Sequence, residues 1–269
     1  MRAATMARLL IAIALAMAAL PVRAFDHTHA AWTVLLQKHV VVLDGGKASR
    51  VRYAALARDR AALKGYLEAL SAVKPGQYAA WSKSEQLAFL INAYNAFTIQ
   101  KVLTRYPELA SIRDFGTVFG NPWKDRFFTL LGRPASLDGI EHDMIRAPGV
   151  FDEPRIHFAV NCASVGCPML REEAYAGERL EAQLEEQTRR FLSDRSRNRF
   201  ADGRLAVSKI FEWYRKDFAS GYRGIGSVEQ FLARHADLLA DSPEDRARIR
   251  AGALRVDSLD YDWALNDTR

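Results

Sequence analysis

Both cysteines of the chain lie in the stretch Arg155-Ile-His-Phe-Ala-Val-Asn-Cys-Ala-Ser-Val-Gly-Cys-Pro168, together with one of its six histidines. The apolar residues 156–160 predict a strand, and residues 161–166 predict the turn that leaves it. Pro168 predicts the start of a helix over residues 169–175, because proline is tolerated at a first helical position. That helix start would place Cys167 where negative charge is stabilised and the pKa of a thiol is lowered. The stretch therefore predicts a reactive cysteine.

The first 24 residues have the three parts of an export leader. Arg2 and Arg8 are basic, residues 9–20 form an apolar run, and Val22-Arg23-Ala24 is a small-residue cleavage site. We expect cleavage after Ala24. The apolar run is too short to span a bilayer comfortably, and no cysteine follows it to accept a lipid. The leader therefore predicts a periplasmic or secreted protein that is not membrane-spanning.

Composition restricts the class of partner. After the leader, 35 basic residues stand against 32 acidic ones, so the net charge is only +3. This charge and the predicted export both argue against nucleic acid as a partner. A small molecule, a peptide, or a glycan or lipid of the cell envelope remains possible as the ligand. Residues 25–269 show no linker or repeat, and we expect a single domain with no cofactor.

Helical signals dominate the rest of the chain. We predict a compact α+β fold, predominantly helical around a small, mainly antiparallel sheet. Cap and periodicity signals predict helices over 28–42, 54–73, from Ser82 or Ser84 to 106, 138–146, 177–192, 208–218 and 227–239. Strands are predicted over 126–131, 134–137, 204–207 and 254–256. We expect the aromatic residues of 261–266 to dock this segment onto the core.

Two asparagines, Asn92 and Asn95, stand three residues apart in the long apolar helix, so they project on the same side. Asparagine is a poor helix former, and each side chain is expected to have specific partners. One interpretation is a buried amide pair that pins a neighbouring loop. The other is that the amides orient a catalytic imidazole or donate to a substrate carbonyl.

The segment Asp138-Gly-Ile-Glu-His142 combines two acidic side chains with an imidazole. The first and fourth residues have the form of a capping box. Asp138 and His142 stand four residues apart on one helix face, close enough for the carboxylate to hold the imidazole. Glu141 points about a quarter-turn away. The alternative is a capping glutamate beside a surface histidine.

These blocks together resemble a known family. The ordered set is Asn92-Ala-Tyr-Asn-Ala96, Leu137 to His142 with Arg146, Arg155 to Pro168, Ser208 to Trp213 with Asp217-Phe218, and Tyr261 to Asn266. It is similar to the DUF547 family, a domain of unknown function found in bacteria and plants, over about 32–266. In that family serine often takes the place of Cys167, whereas position 162 is more regularly cysteine. The resemblance implies that neither a disulfide nor Cys167 as a nucleophile is obligatory.

Three interpretations of the site stay open. In the first, the protein is a thiol-dependent hydrolase or acyl-transferase: Cys162 attacks a carbonyl and His142 or His157 is the base. Asp138, Glu141 or Asn92 would orient the imidazole, Cys167 could pair with His157, and Asn95, Asp138 and Asn161 would bind substrate. In a flat strand, His157 and Cys162 would lie on opposite faces, which favours His142 as the base for Cys162.

In the second interpretation Cys162 and Cys167 form a disulfide, as an oxidising compartment permits. The domain would then be a non-catalytic ligand-binding or scaffolding module of the envelope. The third interpretation is a metal site built from Glu141, His142, His157 and a thiolate. No recognised metal-ligand spacing supports it, and we expect no metal.

Overall fold

The computed structural model describes residues 24–116, 121–252 and 254–269. Residues 1–23 of the predicted leader lie outside this described part, so its cleavage stays a prediction.

The helices of the described residues vary widely in length. They are α1 Ala30–His39, α2 Tyr53–Leu56, α3 Arg60–Ala72, α4 Pro75–Ala79, α5 Lys83–Arg105, α6 Leu180–Leu192, α7 Ile210–Trp213, α8 Arg215–Phe218, α9 Val228–Arg234, α10 Ala236–Leu239 and α11 Pro243–Arg250. A π-helix spans Gly139–Ile145 and a 3₁₀ helix spans Pro154–Phe158. Shorter 3₁₀ turns occupy Asp44–Gly46, Ala57–Asp59, Ile112–Phe115, Pro122–Lys124, Gly177–Arg179 and Tyr222–Gly224.

The strands form three small sheets. They are β1 Val40–Leu43, β2 Ala48–Val51, β3 Phe128–Leu130, β4 Arg133–Ala135, β5 Arg199–Ala201, β6 Arg204–Val207 and β7 Val256–Ser258. The pairs β1–β2 and β3–β4 are antiparallel hairpins. In the third sheet β5 pairs with β6 antiparallel, and β6 pairs with β7 in parallel. The fold is therefore α+β with small, mainly antiparallel sheets, as the sequence predicts.

Helix α5 is the centre of the larger hydrophobic core. Ser82 caps it: the Ser82 hydroxyl accepts from the Glu85 amide, and the Glu85 carboxylate accepts from the Ser82 amide at 2.8 Å. Its residues 87–99 are all buried. A second core packs α6 to α11 around phenylalanines. The 3₁₀ helix Pro154–Phe158 joins the two cores, because Ile156 belongs to the first and Phe158 to the second.

The strand predicted over 156–160 is wrong, because 154–158 form the 3₁₀ helix. Alternation between a buried and an exposed face does not apply here, since Arg155 and His157 are each only 2% exposed, like their apolar neighbours. Because there is no strand here, the expectation that His157 and Cys162 lie on opposite strand faces is also wrong. A short buried apolar run does not distinguish a strand from a helix.

The helix predicted over 169–175 is also wrong, because these residues are irregular. Distant side chains bind the backbone groups that a helix would use. Asn161 Nδ2 donates to the Pro168 carbonyl at 2.7 Å, and Gln187 Nε2 donates to the Met169 carbonyl at 2.9 Å. Cys167 therefore has no helix N-terminus beside it, and the predicted stabilisation of its thiolate has no basis.

Several element ends differ from their predictions. Helix α1 ends at His39, since the following valines pair in the β1–β2 hairpin instead. The predicted helix over 208–218 is interrupted at Tyr214, and that over 227–239 is interrupted at His235. Asp138 forms no capping box; the Ser136 hydroxyl accepts from the Gly139 amide at 3.1 Å in its place. No helix within the described ranges is both long and apolar enough to cross a membrane.

Candidate functional site

A pocket of about 280 Å³ lies where α5, the π-helix, the 3₁₀ helix, α7 and the segment 261–263 meet. We call it the aromatic pocket. Its lining comprises Tyr94, Asn121, Trp123, Asp138, Glu141, His142, His157, Val160, Cys162, Cys167, Pro168, Ile210, Trp213, Tyr214, Tyr261 and Trp263. Small-molecule sites typically measure about 300–1,000 Å³, so this pocket suits a small ligand.

Cys162 and Cys167 form a disulfide on the pocket lining, with their Cα atoms 6.1 Å apart. Of the two states considered for these cysteines, the structure has the disulfide. The Tyr261 hydroxyl lies 3.2 Å from each sulfur. Within the described residues no histidine forms a hydrogen bond to either sulfur. Because the thiolate is the nucleophilic form of cysteine, neither Cys162 nor Cys167 can act as a nucleophile while the disulfide is intact.

His157 is held by a carboxylate that sequence reasoning did not assign to the site. Its Nε2 lies 2.7 Å from Asp217 Oδ2, and its ring stacks on Tyr214 with the centroids 3.7 Å apart. Arg146 donates to both oxygens of Asp217, at 2.5 and 3.1 Å. The Asp217–His157 pair thus fixes the orientation of the imidazole.

The protonation state of His157 follows from its surroundings. Burial would raise the pKa of Asp217, but the hydrogen bonds from His157 and Arg146 hold it well below its usual range. Burial lowers the pKa of His157, against the opposing effect of Asp217. At neutral pH the carboxylate can only accept, so Nε2 carries the proton of a neutral imidazole. Nδ1 then has a free lone pair, and it has no hydrogen-bond partner among the described residues.

Glu141 lies on the same pocket lining and is only 5% exposed. Its Oε1 is buried and has no hydrogen-bond partner in the described part of the chain. Besides burial, the charge of Glu141 raises the pKa values of Tyr94 and Tyr214. Two residues of the pocket lining, Glu141 and His157, therefore each carry a buried acceptor atom, Oε1 and Nδ1, whose hydrogen-bonding capacity is unused among the described residues.

Asp138 and His142 lie on one face of the π-helix, as their spacing predicts. The distance from His142 Nε2 to Asp138 Oδ1 is 3.7 Å, which is an ion-pair distance and longer than a hydrogen bond. His142 Nδ1 contacts the Arg146 guanidinium. The His142 side chain is 39% exposed, so it lies near the mouth of the pocket.

Asn92 and Asn95 lie outside the pocket lining and bind backbone. Asn92 donates to the Tyr175 carbonyl at 2.7 Å and accepts from the Tyr175 amide at 3.0 Å. Asn95 makes the same kind of contact with Ala159 and Asn161, at 3.0 and 2.8 Å. Both amides therefore pin loops, which is the first of their two interpretations, and this geometry gives no support to a role of Asn92 in catalysis or of Asn95 in substrate binding.

Asn161 is likewise structural. Its Oδ1 accepts from the Ala163 amide at 3.0 Å and from Asn266 Nδ2 at 3.3 Å. These bonds, with its bond to the Pro168 carbonyl, fix the turn that carries the disulfide and tie it to the segment around Asn266. Asn161 thus shapes the pocket without lining it.

One side of the pocket is an aromatic wall of Trp213, Tyr261 and Trp263. Tyr261 lies 4.8 Å from Trp213 and 4.6 Å from Trp263 between ring centroids. The backbone of 262–266 bonds to the disulfide turn, and Gly166 approaches it so closely that a Cβ would lie 2.9 Å from the Asp262 carbonyl oxygen. The aromatic residues of this segment were expected only to dock it. They also line the pocket.

Residues 78–192 match the sequence model of the family described as "Protein of unknown function, DUF547". This region is a DUF547 domain. No curated protein gives a significant match to the chain, and no solved structure does.

The DUF547 region contains the disulfide, His157, Glu141, His142 and Asp138. The partner Asp217 and the aromatic wall follow residue 192, outside the matched region. The resemblance predicted over 32–266 is thus confirmed for its central part. The sequence signals for the missed residues were the quoted blocks 208–218 and 261–266, which resembled the family without indicating a role.

The aromatic pocket carries two carboxyl groups and two imidazoles, which are groups that can bind metals. However, no cluster of three or more His, Cys, Asp or Glu side chains suited to a metal ion occurs within the ranges that the structure describes.

Proposed function

We propose that this protein binds a small organic ligand in the aromatic pocket, in the periplasm or outside the cell. The observation that carries the proposal is the pair of buried, unused acceptors, Glu141 Oε1 and His157 Nδ1, in the described residues around one cavity. A buried acceptor without a partner costs about 1–3 kcal/mol, and a bound ligand that donates to it recovers that energy.

Three further features support binding over thiol chemistry. The disulfide removes both candidate nucleophiles, and the Tyr261 hydroxyl occupies the space beside the sulfurs. His157 is fixed by Asp217 and by stacking on Tyr214, so its lone pair is positioned in advance. Preorganised polar groups in an apolar, aromatic lining are typical of small-molecule sites.

A pocket-filling variant tests the proposal. Val160 lines the pocket and is 8% exposed, so Val160→Phe should reduce the cavity. Val42→Phe is the matched control, because Val42 lies on β1, is 41% exposed and is remote from the lining. A small-molecule library is screened by thermal shift, and hits are measured by calorimetry. We expect hits that bind the protein and Val42→Phe equally and lose affinity for Val160→Phe; hits unaffected by Val160→Phe would contradict the proposal.

The location is tested separately. Cell fractionation followed by N-terminal sequencing should find the chain in the envelope or medium, beginning at Phe25. A chain retained in the cytoplasm with its first 24 residues intact would overturn this part of the proposal while leaving the ligand site untouched.

A second candidate function is hydrolysis by a water molecule that His157 activates, and the Asp217–His157 pair favours it. Water would attack a carbonyl carbon, its proton would pass to Nδ1, and that proton would then go to the leaving group. Assays of ester and amide substrates would compare His157→Gln with Cys162→Ser. Loss of turnover in the first variant alone supports this candidate. Turnover that needs both a reductant and Cys162 would instead restore the thiol mechanism.

A further inference from the structure

The ionisable groups that line the aromatic pocket include two carboxylic acids. Asp138 and Glu141 are acidic, and no lysine or arginine occurs in the lining that the structure describes. Two guanidinium groups lie against lining residues: that of Arg146 donates to both oxygens of Asp217 and lies over the Tyr214 ring at 4.8 Å, and that of Arg113 lies over the Trp263 ring at 5.1 Å. The charge of Arg146 is thus already paired with Asp217, whereas Glu141 belongs to the pocket lining and its Oε1 has no hydrogen-bond partner among the described residues.

The two atoms with unused hydrogen-bonding capacity are both acceptors. Glu141 Oε1 accepts, and His157 Nδ1 accepts because Nε2 holds the proton toward Asp217. A ligand group that satisfies both must bring at least two donor hydrogens. A carboxylate or phosphate would bring further acceptor atoms instead of donors, and the negative charge of Glu141 would repel it.

The aromatic wall provides the third element. The faces of Trp213, Tyr261 and Trp263 carry negative quadrupole density, which attracts cations and also packs against hydrocarbon. Trp213 is 44% exposed, so a ligand can cover a ring that is open to solvent now. Carboxylate, double acceptor and aromatic rings are together the chemistry that recognises an ammonium group.

We infer that the ligand of the aromatic pocket is a protonated organic amine, whose N–H groups bond to Glu141 and His157 while its hydrocarbon part packs on the aromatic wall. This inference rests on the proposed binding function and specifies the class of its ligand.

Four probes that share one phenyl ring test it: benzylammonium, benzyltrimethylammonium, benzyl alcohol and benzoate. Dissociation constants are measured by NMR titration of the disulfide-intact protein. Benzylammonium should bind at least about tenfold more tightly than benzyl alcohol, because it brings a positive charge and can donate to both acceptors, whereas the alcohol has one donor hydrogen. Benzyltrimethylammonium should be weaker than benzylammonium, since it has no N–H to donate, and benzoate should be weakest.

Glu141→Gln removes the charge and should reduce the preference of benzylammonium over benzyl alcohol severalfold. Asp143→Asn is the matched control: it changes the net charge equally from an exposed position on the same π-helix and should keep the preference. The probe series on the unaltered protein decides the matter even if Glu141→Gln does not fold.

The two proposals fail in different ways. Benzyl alcohol or benzoate binding as tightly as benzylammonium would overturn the amine inference and leave the binding function standing. Absence of binding by all four probes at about 10 mM would overturn the amine inference, because even a weak charge-assisted site should be detectable at that concentration. The binding function itself falls only if the library screen also finds no ligand that Val160→Phe excludes.

Discussion

Replacing Asn92 by leucine should strongly destabilise the protein although it touches no pocket residue. The amide bonds to both backbone groups of Tyr175, at 2.7 and 3.0 Å, and both residues are at most 1% exposed. Leucine has a similar size but no polar atom, so the Tyr175 amide and carbonyl would lose their partners away from water. At about 1–3 kcal/mol for each stranded group, the free energy of unfolding should fall by about 2–5 kcal/mol.

Equilibrium unfolding in urea, followed by tryptophan fluorescence, measures this change. The matched control is Thr98→Val, on the same helix α5 and 1% exposed. The Thr98 hydroxyl is buried without a partner among the described residues, so its removal should be neutral or slightly stabilising. A loss below about 1 kcal/mol for Asn92→Leu, or an equal loss in both variants, would refute the assignment of Asn92 as a backbone clamp.

Three other predictions concern the disulfide, a buried histidine and a close contact. Reducing the disulfide, or replacing Cys162 and Cys167 by serine, should lower the free energy of unfolding by about 2 kcal/mol, since the closed loop is short; urea midpoints with and without reductant measure this. Burial lowers the pKa of His29 from 6.5 to about 4, so only the unfolded chain binds the proton between these values. Stability should therefore decrease as the pH falls through this window, by about 3 kcal/mol in total, and His29→Asn should flatten that dependence. Gly177→Ala should destabilise the protein by about 1–3 kcal/mol, because its Cβ would lie 2.6 Å from a side-chain carbon and 3.0 Å from the backbone of α5. The control Gly65→Ala on α3 places its Cβ in free space and should be neutral or stabilising. Thermal melts of the two variants measure the difference.

Each of these has a result that contradicts it. Two alkylated cysteines in the unreduced, denatured protein would show that the disulfide does not form. A pH dependence as steep in His29→Asn as in the unaltered protein would exclude His29 as its cause; His235→Asn is the comparison. Equal melting temperatures for Gly177→Ala and Gly65→Ala would show that the contact relaxes at no cost.

Helix α5 illustrates what the sequence predicts well. Its start depends on Ser82 and Glu85, three residues apart, and its extent on a long apolar series. Such local signals need no knowledge of the rest of the fold. The hairpin at Gly132 and the helix α6 are predictable for the same reason.

The irregular segment after Pro168 illustrates the opposite case. Its conformation depends on amides of Asn92, Asn161 and Gln187, which bond to its carbonyls from other parts of the chain. A proline followed by apolar residues has the local form of a helix start, and only these distant partners decide against it. Asn92 and Gln187 lie 83 and 18 residues from the residues whose carbonyls they bind, outside the few residues that form a helix-start signal.

The candidate site likewise contains residues that the sequence predicts and residues that it does not. Glu141, His142 and the cysteines could be selected because few side-chain types carry chemistry, and they do line one pocket. Asp217 could not be assigned, since it lies 60 residues after the histidine that it orients. The place of the aromatic wall in the pocket was not predicted, because aromatic residues near a chain end usually pack on the core, and here the same rings do both.

The separation in sequence between the disulfide and the aromatic wall has a consequence for biogenesis. Cys162 and Cys167 are five residues apart, whereas Tyr261, which contacts both sulfurs, follows Cys162 by 99 residues. At a synthesis rate of about 5–20 residues per second, the two thiols emerge on the order of 5–20 s before the tyrosine that will cover them. An oxidant therefore has its opportunity early, while the sulfurs are still uncovered by Tyr261. If the disulfide forms at that stage, the pocket is assembled around a crosslink that already exists.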